Sequence, residues 1–520
     1  MSVLLGKVCS LILEEHFGEI VSKVGTDLFQ WGPKPLALVA SSTKLSIDKV
    51  KQSLCVLLQY GLATFAPGKS GRVAEYTIQT EKIFSLLRYP RYLYLIKSKF
   101  GVEAETLVEE FLRVGFDSAS RLIVKAATRL QESQKGSDNA SAYLSTLRDK
   151  FVSLVNKQFL MRCPSPTPVD EEKGEKPTGI PNLTVSKTQL HLPPTLNMKA
   201  LTQLLEGEVA DAGDEGVYWR VNFDRFHQDF RDQIMVAAIA RRIDDNASEI
   251  FQLLLQLMYI RTDPWVRVSN PIPYSELRDT LRKKDPQSPI LPHLDQYLKI
   301  IEEDSSGFIT RVGDSGGGQF CINMHKSFEA LTWTCIENII VERFGSKAAR
   351  IFRLVKDRRF IEQEKIQQIA MIPAREAKQL TYRLMHENFL QLQELRKTMA
   401  TNAGPNKTFF LFHIDLEEVA RMILDLSYKA LYNAMNRRDF ETNENRRLIE
   451  KKNRIHSIAL SLQAQGAPAE QLQEIEEMMA PPEVDLFNKV MRRVQKLSEA
   501  ELHLEETIFL MQLFLSYNMQ

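Results

Sequence analysis

Residues 46–65 read SIDKVKQSLCVLLQYGLATF. The first two thirds have helical spacing, with Ile47, Val50, Leu54, Leu57 and Leu58 expected on one face. Ser46 or Asp48 stands where an N-cap belongs. Gly61 ends the helix, and Leu-Ala-Thr-Phe runs straight on as a strand. The continuation, LATFAPGKSGRVAEYTI, sets two apolar-alternating runs around Pro67, Gly68, Ser70 and Gly71, which is a hairpin signal. Upstream, Leu4 to Val24 reads as a helix and Leu36 to Ser42 as a short second one. Three helices followed by a hairpin make a winged helix, a relative of the helix-turn-helix. Its third helix is the one that usually faces the major groove.

The pattern recurs. In MIPAREAKQLTYRLMHENFLQLQEL, Pro373 opens a helix, Ala377, Leu380, Leu384 and Met385 follow at helical spacing, and Asn388 takes the place of the terminating glycine. Phe389, Leu390 and Leu392 begin a strand, and KTFFLFHI supplies its partner after Gly404-Pro405. A further copy places a helix at 292–303 and strands at 308–312 and 319–323. The remaining copy, SAYLSTLRDKFVSLVNKQFLMRC, gives a helix and then a strand at 159–162, followed by PSPTPVDEEKGEKPTGIPNL, a composition that favours disorder. GVYWRVNF at 216–223 would be the returning strand, which makes 164–215 an insertion in the wing. The other reading is a plain interdomain linker.

The last hundred residues differ. Leu416, Val419, Ile423 and Leu426 open one apolar stripe between Asp415 and Gln465, and Leu486, Val490, Val494, Leu497, Ile508, Met511 and Leu515 form a second. Two antiparallel helices with a short acidic helix between them fit this pattern, a helical hairpin or coiled coil suited to partner binding. The expected fold is therefore mainly α with small β-hairpin wings. It has four tandem winged helices, at 1–84, 85–222, 223–325 and 326–414, then a helical hairpin at 415–520.

Bulk properties exclude several classes. The chain has 520 residues, 44% hydrophobic and 26% charged, with a net charge of +1. Five scattered cysteines form no Cys-x-x-Cys pair, which argues against a disulfide framework or a zinc site. The apolar N-terminus is interrupted by Lys7, Glu14 and Glu15 and reads as an amphipathic helix, not a signal peptide. No uncharged run is long enough to span a bilayer. There is no phosphate loop and no dinucleotide fingerprint, so no cofactor is expected. GDSGGG at 313–318 matches the surroundings of the nucleophile in trypsin-like proteases. That chemistry needs a histidine and an aspartate in place as well, and the chain does not read as a double β-barrel, so a glycine-rich turn is the simpler account.

The positive signal is basic. Lys49 and Lys51 lie on the third helix, and Lys69, Arg72, Lys82, Arg88, Arg91, Lys97 and Lys99 lie on and after the first wing. Tyr89, Tyr92 and Tyr94 are interleaved among them. Cations neutralise phosphates and aromatic rings stack on unpaired bases; a buried tyrosine core beneath solvated cations would give the same string. A second cluster, Lys347, Arg350, Arg353, Lys356, Arg358 and Arg359, studs one helix and suits either nucleic acid or an acidic partner surface.

Taken in order, these parts resemble the tandem winged-helix subunit of the initiation heterotrimer of eukaryotic RNA polymerase III. The stretches that carry the resemblance are LILEEHFGEIVSKVGTDL, GDSGGGQFCINMHK, ERFGSKAARIFRLV, AMIPAREAKQLTYRLMHENFLQLQEL, RRDFETNENRRLIEK and AEQLQEIEEMM. It spans essentially the whole chain. The resemblance implies a non-catalytic subunit that joins two smaller polymerase III-specific subunits on the polymerase clamp, beside the promoter-bound initiation factor. It implies contact with DNA, single-stranded DNA included, and a part in promoter opening for transfer RNA, 5S ribosomal RNA and other small RNAs. It further implies a nuclear location, a cytosolic role in sensing foreign DNA, and no membrane. Two rival readings are a free-standing winged-helix DNA-binding factor and a protein-only scaffold.

Overall fold

The computed structural model describes residues 2–68, 73–133, 140–166, 183–186, 188–208, 210–287, 289–314, 317–396, 408–464 and 478–519. They fall into two compact units, Met1–Arg231 and Asp232–Gln520. Among the described residues one order of elements occurs four times: helix, helix, short strand, helix, helix, strand, strand. The first copy runs Val3–Phe17, Glu19–Trp31, Lys34–Pro35, Leu36–Thr43, Ile47–Gln59, Ala63–Pro67 and Ala74–Ile78. After the connecting helix Thr80–Leu87, the second runs Tyr89–Phe100, Val102–Val114, Phe116–Ser118, Ala119–Ser133, Ala140–Asn156, Leu160–Arg162 and Tyr218–Val221. The third runs Phe223–Arg242, Asp245–Arg261, Ile272–Pro273, Tyr274–Lys284, Leu294–Glu303, Ile309–Gly313 and Gln319–Ile322. The fourth runs Met324–Phe344, Ser346–Arg358, a single bridge at Ile361, Gln363–Ala370, Ala374–His386, Gln391–Arg396 and Thr408–His413. In every copy the last strand pairs with the other two. Each module is thus a winged helix extended by one leading helix, and its third helix, with the leading one not counted, is the helix before the wing.

Local chemistry explains the repetition. The leading helix turns into the next at a glycine in His16-Phe17-Gly18, Lys99-Phe100-Gly101 and Arg343-Phe344-Gly345. The glycine φ values are 86°, 94° and 86°, with ψ near 180°. That region is essentially closed to residues with a Cβ. Each preceding phenylalanine packs edge-on against an aromatic at the end of its module's third helix: Phe17 on Tyr60, Phe100 on Phe159 and Phe344 on Phe389. The expected single helix from Leu4 to Val24 is therefore two helices, because Gly18 divides it. The third module uses Asp244 instead, whose side chain accepts from the Ala247 N–H at 2.7 Å. The third helix of each module ends in a left-handed residue, namely Gly61, Gln158, Gly307 and Asn388, at φ 68°, 66°, 62° and 60°.

The sheet of the second module closes across residues 164–215. Leu160 pairs with Val221 and Phe116 with Arg220, so Tyr218–Val221 is the returning strand and 164–215 lies within one sheet. Part of that stretch is ordered, which corrects the expectation of disorder. Its helix Met198–Leu205 packs on Ala119–Ser133 and Ala140–Asn156 with Leu201 at 0% exposure. The Asp214 carboxylate accepts from the Ser120 N–H at 2.7 Å. Residues 167–182 lie outside the described set.

Helix Phe223–Arg242 begins in the first unit. Phe223, Phe226 and Phe230 close around buried Tyr92, with ring centroids 5.5, 4.8 and 5.6 Å away. A domain boundary at 222 and 223, as expected from sequence, cuts off this aromatic face, and the compact unit runs on to Arg231.

At the C-terminal end, the stripe expected from Asp415 to Gln465 is broken at Asn445 into Leu416–Glu444 and Arg446–Ala464. Pro481 opens the next helix, Pro481–Met519, where the missing N–H costs nothing. Leu416–Glu444 and Pro481–Met519 run antiparallel, as Tyr428 meets Gln512 and Glu441 meets Arg493. Their seam buries Val419, Ile423, Leu431, Val490, Ile508 and Phe514. Arg438 donates to Glu501 at 2.9 Å. Tyr517 stacks on Phe328 of the fourth module's leading helix at 5.6 Å. The short acidic helix expected before residue 478 lies outside the described residues.

Candidate nucleic-acid interface

The third helix of each module is where a winged helix presents side chains to a groove, so the four can be compared. In the first, Val50, Ser53, Leu54 and Leu57 face the core. Ile47, expected on that face, is 53% exposed, since it sits at the very start of the helix. Ser46 occupies the N-cap position but makes no side-chain capping bond. Lys49 and Lys51 are exposed, and Lys51 Nζ lies 3.9 Å from Asp48. Lys69 and Arg72, on the wing tip, lie outside the described residues.

The basic string after the wing divides sharply. Arg88 is 3% exposed and turned inward, so the expectation that it contacts nucleic acid is corrected. Its guanidinium lies 3.1 Å from His227 Nε2, and Tyr92 Oη lies 2.8 Å from the same nitrogen. Guanidinium can only donate, so Nε2 is an acceptor and the imidazole is neutral. Burial, and then the charge of Arg88, push the His227 pKa down to about 3. Arg91 lies over the Phe230 ring at 4.8 Å. Lys99 donates to buried Asp229 at 2.6 Å, and Lys97 pairs with Glu105 at 3.0 Å. Tyr89 stacks on Phe223, and burial raises its pKa; only Tyr94, 74% exposed, is open to solvent. Most of this string holds the helix Tyr89–Phe100 against the start of Phe223–Arg242. The alternation of tyrosine with cations was a core signal, and the structure does not bring these residues together as one basic surface.

In the second module the Met198–Leu205 helix packs on the third helix. In the third module the third helix, Leu294–Glu303, exposes Asp295 and Glu303, with Lys299 paired to Glu303 at 3.7 Å. The glycine-rich turn after it serves its hairpin: Gly317 and Gly318 have φ 94° and 116°, and the Gly318 carbonyl accepts from the Tyr274 N–H at 3.0 Å. Ser315 of that turn lies outside the described residues.

The fourth module holds what sequence reasoning missed. On Ala374–His386, Ala377, Thr381 and Leu384 face the core. Arg375, Lys378, Gln379, Tyr382 and His386 are all exposed, and their spacing puts them on one stripe. The signal was present in AREAKQLTYRLMH, where the residues complementary to the apolar stripe are basic or amide-bearing. The acidic neighbours on this helix are engaged elsewhere. Lys347 donates to Glu376 at 2.7 Å and Arg343 to Glu387 at 3.1 Å.

This also places the second basic cluster. Lys347 and Arg350 face the fourth module itself, Arg350 donating to the Ala370 carbonyl at 3.2 Å. Arg353 pairs with Glu337, and Lys356 lies over the Trp333 ring at 4.8 Å, with its pKa lowered chiefly by burial. Arg358 and Arg359 are exposed at the helix end, with no ionic partner among the described residues. The cluster is mostly internal bracing rather than a continuous contact face.

Four family descriptions match the chain. They are an RNA polymerase III subunit RPC82 helix-turn-helix domain at 7–68 and RNA polymerase III subunit RPC82 at 149–331. The others are the POLR3C C-terminal winged-helix domain at 336–414 and the helical hairpin domain of DNA-directed RNA polymerase III subunit RPC3 at 447–510. The chain is 39% identical to the rat DNA-directed RNA polymerase III subunit RPC3 over 532 residues, covering 99% of this chain and 98% of the rat protein. It is 37% identical to the zebrafish protein of the same name over 534 residues, 98% of each. It is 20% identical to the Dictyostelium discoideum DNA-directed RNA polymerase III subunit rpc3 over 627 residues, 86% of this chain and 93% of that one.

Proposed function

The chain belongs to the RPC3 family of DNA-directed RNA polymerase III subunits, and from that premise we propose that it acts in transcription initiation without bond chemistry of its own. It joins two smaller polymerase III-specific subunits, docks on the polymerase clamp beside the promoter-bound initiation factor, and helps to open promoters of transfer RNA, 5S ribosomal RNA and other small-RNA genes. The observation that carries this reading is the fourfold extended winged helix followed by an antiparallel helical pair. Such small modules offer many separate surfaces, and weak phosphate contacts suffice when a larger machine holds the DNA at high effective concentration. The site of action is nuclear. A cytosolic fraction of the polymerase would use the same DNA contacts in antiviral sensing of foreign DNA.

The test is affinity purification of the tagged chain from nuclear extract, with mass spectrometry of its partners. Recovery of the polymerase III core and two small specific subunits at near-equal stoichiometry is expected. Recovery of the chain alone, or with an unrelated assembly, would leave only a winged-helix scaffold. A free-standing factor would instead select a defined motif from a random duplex pool.

A further inference from the structure

We propose that the chain's own duplex-DNA site is the outer face of the Ala374–His386 helix in the fourth module, with Arg375 and Lys378 on phosphates and Gln379, Tyr382 and His386 towards base edges. This deepens the reading above and rests on its claim that the chain contacts DNA.

The inference comes from comparing four third helices built on one plan. The first offers two lysines, one of them beside Asp48. The second carries the insertion helix Met198–Leu205. The third exposes Asp295, and its one lysine, Lys299, is paired with Glu303 at 3.7 Å, which leaves no surplus of cations for phosphate. The fourth presents two fixed cations, an amide, a phenol and an imidazole on one stripe, with no exposed acid on that stripe. Residues 375 to 386 span about 16 Å at 1.5 Å per residue, and a helix of this width is admitted by the major groove. Tyr382 is 43% exposed, yet its ring stands edge-on to Phe412 of the wing at 6.0 Å, which fixes its direction. Gln can pair with adenine through two hydrogen bonds, and arginine or lysine serves phosphate or guanine.

The neighbouring helices make the face basic without touching it. Glu376 on the same helix and Glu387 just past its end would otherwise oppose an approaching phosphate. Lys347 and Arg343 neutralise them. Lys347 is therefore a positioning residue for the charge of this surface rather than a DNA contact.

The experiment is fluorescence anisotropy of a labelled duplex of about 20 base pairs with the full-length chain, over a salt series starting near 50 mM, because phosphate contacts are read from salt dependence. In the double variant Arg375→Ala/Lys378→Ala, affinity at the lowest salt falls roughly tenfold per lost phosphate contact, and the slope of log affinity against log salt shrinks by about 1.8. Lys49→Ala/Lys51→Ala changes the slope by less than half of that. Lys347→Ala weakens binding by exposing Glu376, and adding Glu376→Gln restores it, an outcome that a folding defect does not produce. If the parent chain binds but Arg375→Ala/Lys378→Ala binds with the same affinity and slope, the assignment is overturned while DNA contact stands. If the parent chain shows no binding at the lowest salt, both fall. Loss of polymerase from the double variant with DNA affinity unchanged would overturn the proposal in favour of an acidic protein surface.

Discussion

Gly345 joins the leading helix of the fourth module to the next helix at φ 86°, ψ 172°, and a Cβ built on it meets nothing within 4 Å. Gly345→Ala is therefore a backbone perturbation with no steric contact. Holding alanine in this region costs about 1–3 kcal/mol. Alanine also favours a continuous helix over glycine by about 1 kcal/mol, so the same change rewards fusing Met324–Phe344 with Ser346–Arg358. Fusion is opposed by packing across the bend, in which Phe352 and Lys356 fold back on Trp333 at 5.8 and 4.8 Å. The variant should lose about 1–3 kcal/mol of stability, read as a lower urea midpoint with little change in slope. Fluorine NMR of chain labelled with 5-fluorotryptophan would locate the effect, because the chain has four tryptophans. The Trp333 resonance should shift or broaden while that of Trp219, in the first unit, stays. A midpoint change below about 0.3 kcal/mol, well under the backbone cost, with Trp333 unmoved, would refute the argument that glycine conformation sets the bend.

Three other outcomes follow from particular contacts. Leu201→Ala should destabilise the first unit by about 2–5 kcal/mol, the usual cost for a buried leucine; a neutral result in urea unfolding would mean that the wing insertion is dispensable to the domain. The His227 pKa is lowered, so the unfolded chain binds the extra proton first. Its contribution is complete above about pH 6.5 and is lost as pH falls towards about 3, by up to about 1.4 kcal/mol per unit. His227→Gln should flatten that part of the stability–pH curve, and an unchanged slope would refute the neutral-imidazole network. Maleimide should modify exposed Cys55 first, because burial pushes the Cys9 thiol up to about 12 and those of Cys163 and Cys335 up to about 11. Equal rates at these sites, followed by peptide mapping, would contradict the burial described.

Sequence periodicity located the wings well, because each third helix passes into its strand through one left-handed residue. Gly61 and Asn388 announce this by type, whereas Gln158 does so only by context. The leading helices were less visible: a helix-compatible residue pattern runs through Gly18, and the divide depends on one backbone angle that apolar spacing does not report. The basic residues were misjudged for a related reason. Charge in a string says nothing about direction: Arg88 turns inward to His227, and exposed Lys99 is drawn onto buried Asp229, partners more than 100 residues away. The face on Ala374–His386 was legible in principle. It required reading the complement of the apolar stripe and knowing that Lys347 and Arg343 draw off the nearby acids.

The most direct test of the account is initiation by polymerase III lacking this chain, assayed on a closed transfer RNA gene promoter and on the same promoter with a pre-opened bubble. The account predicts transcription from the bubble but not from the closed duplex, with adding back the chain, together with the two small subunits proposed to join it, restoring the latter. Equal loss on both templates would contradict it, since the chain would then be needed for the chemistry or for the integrity of the enzyme rather than for opening DNA.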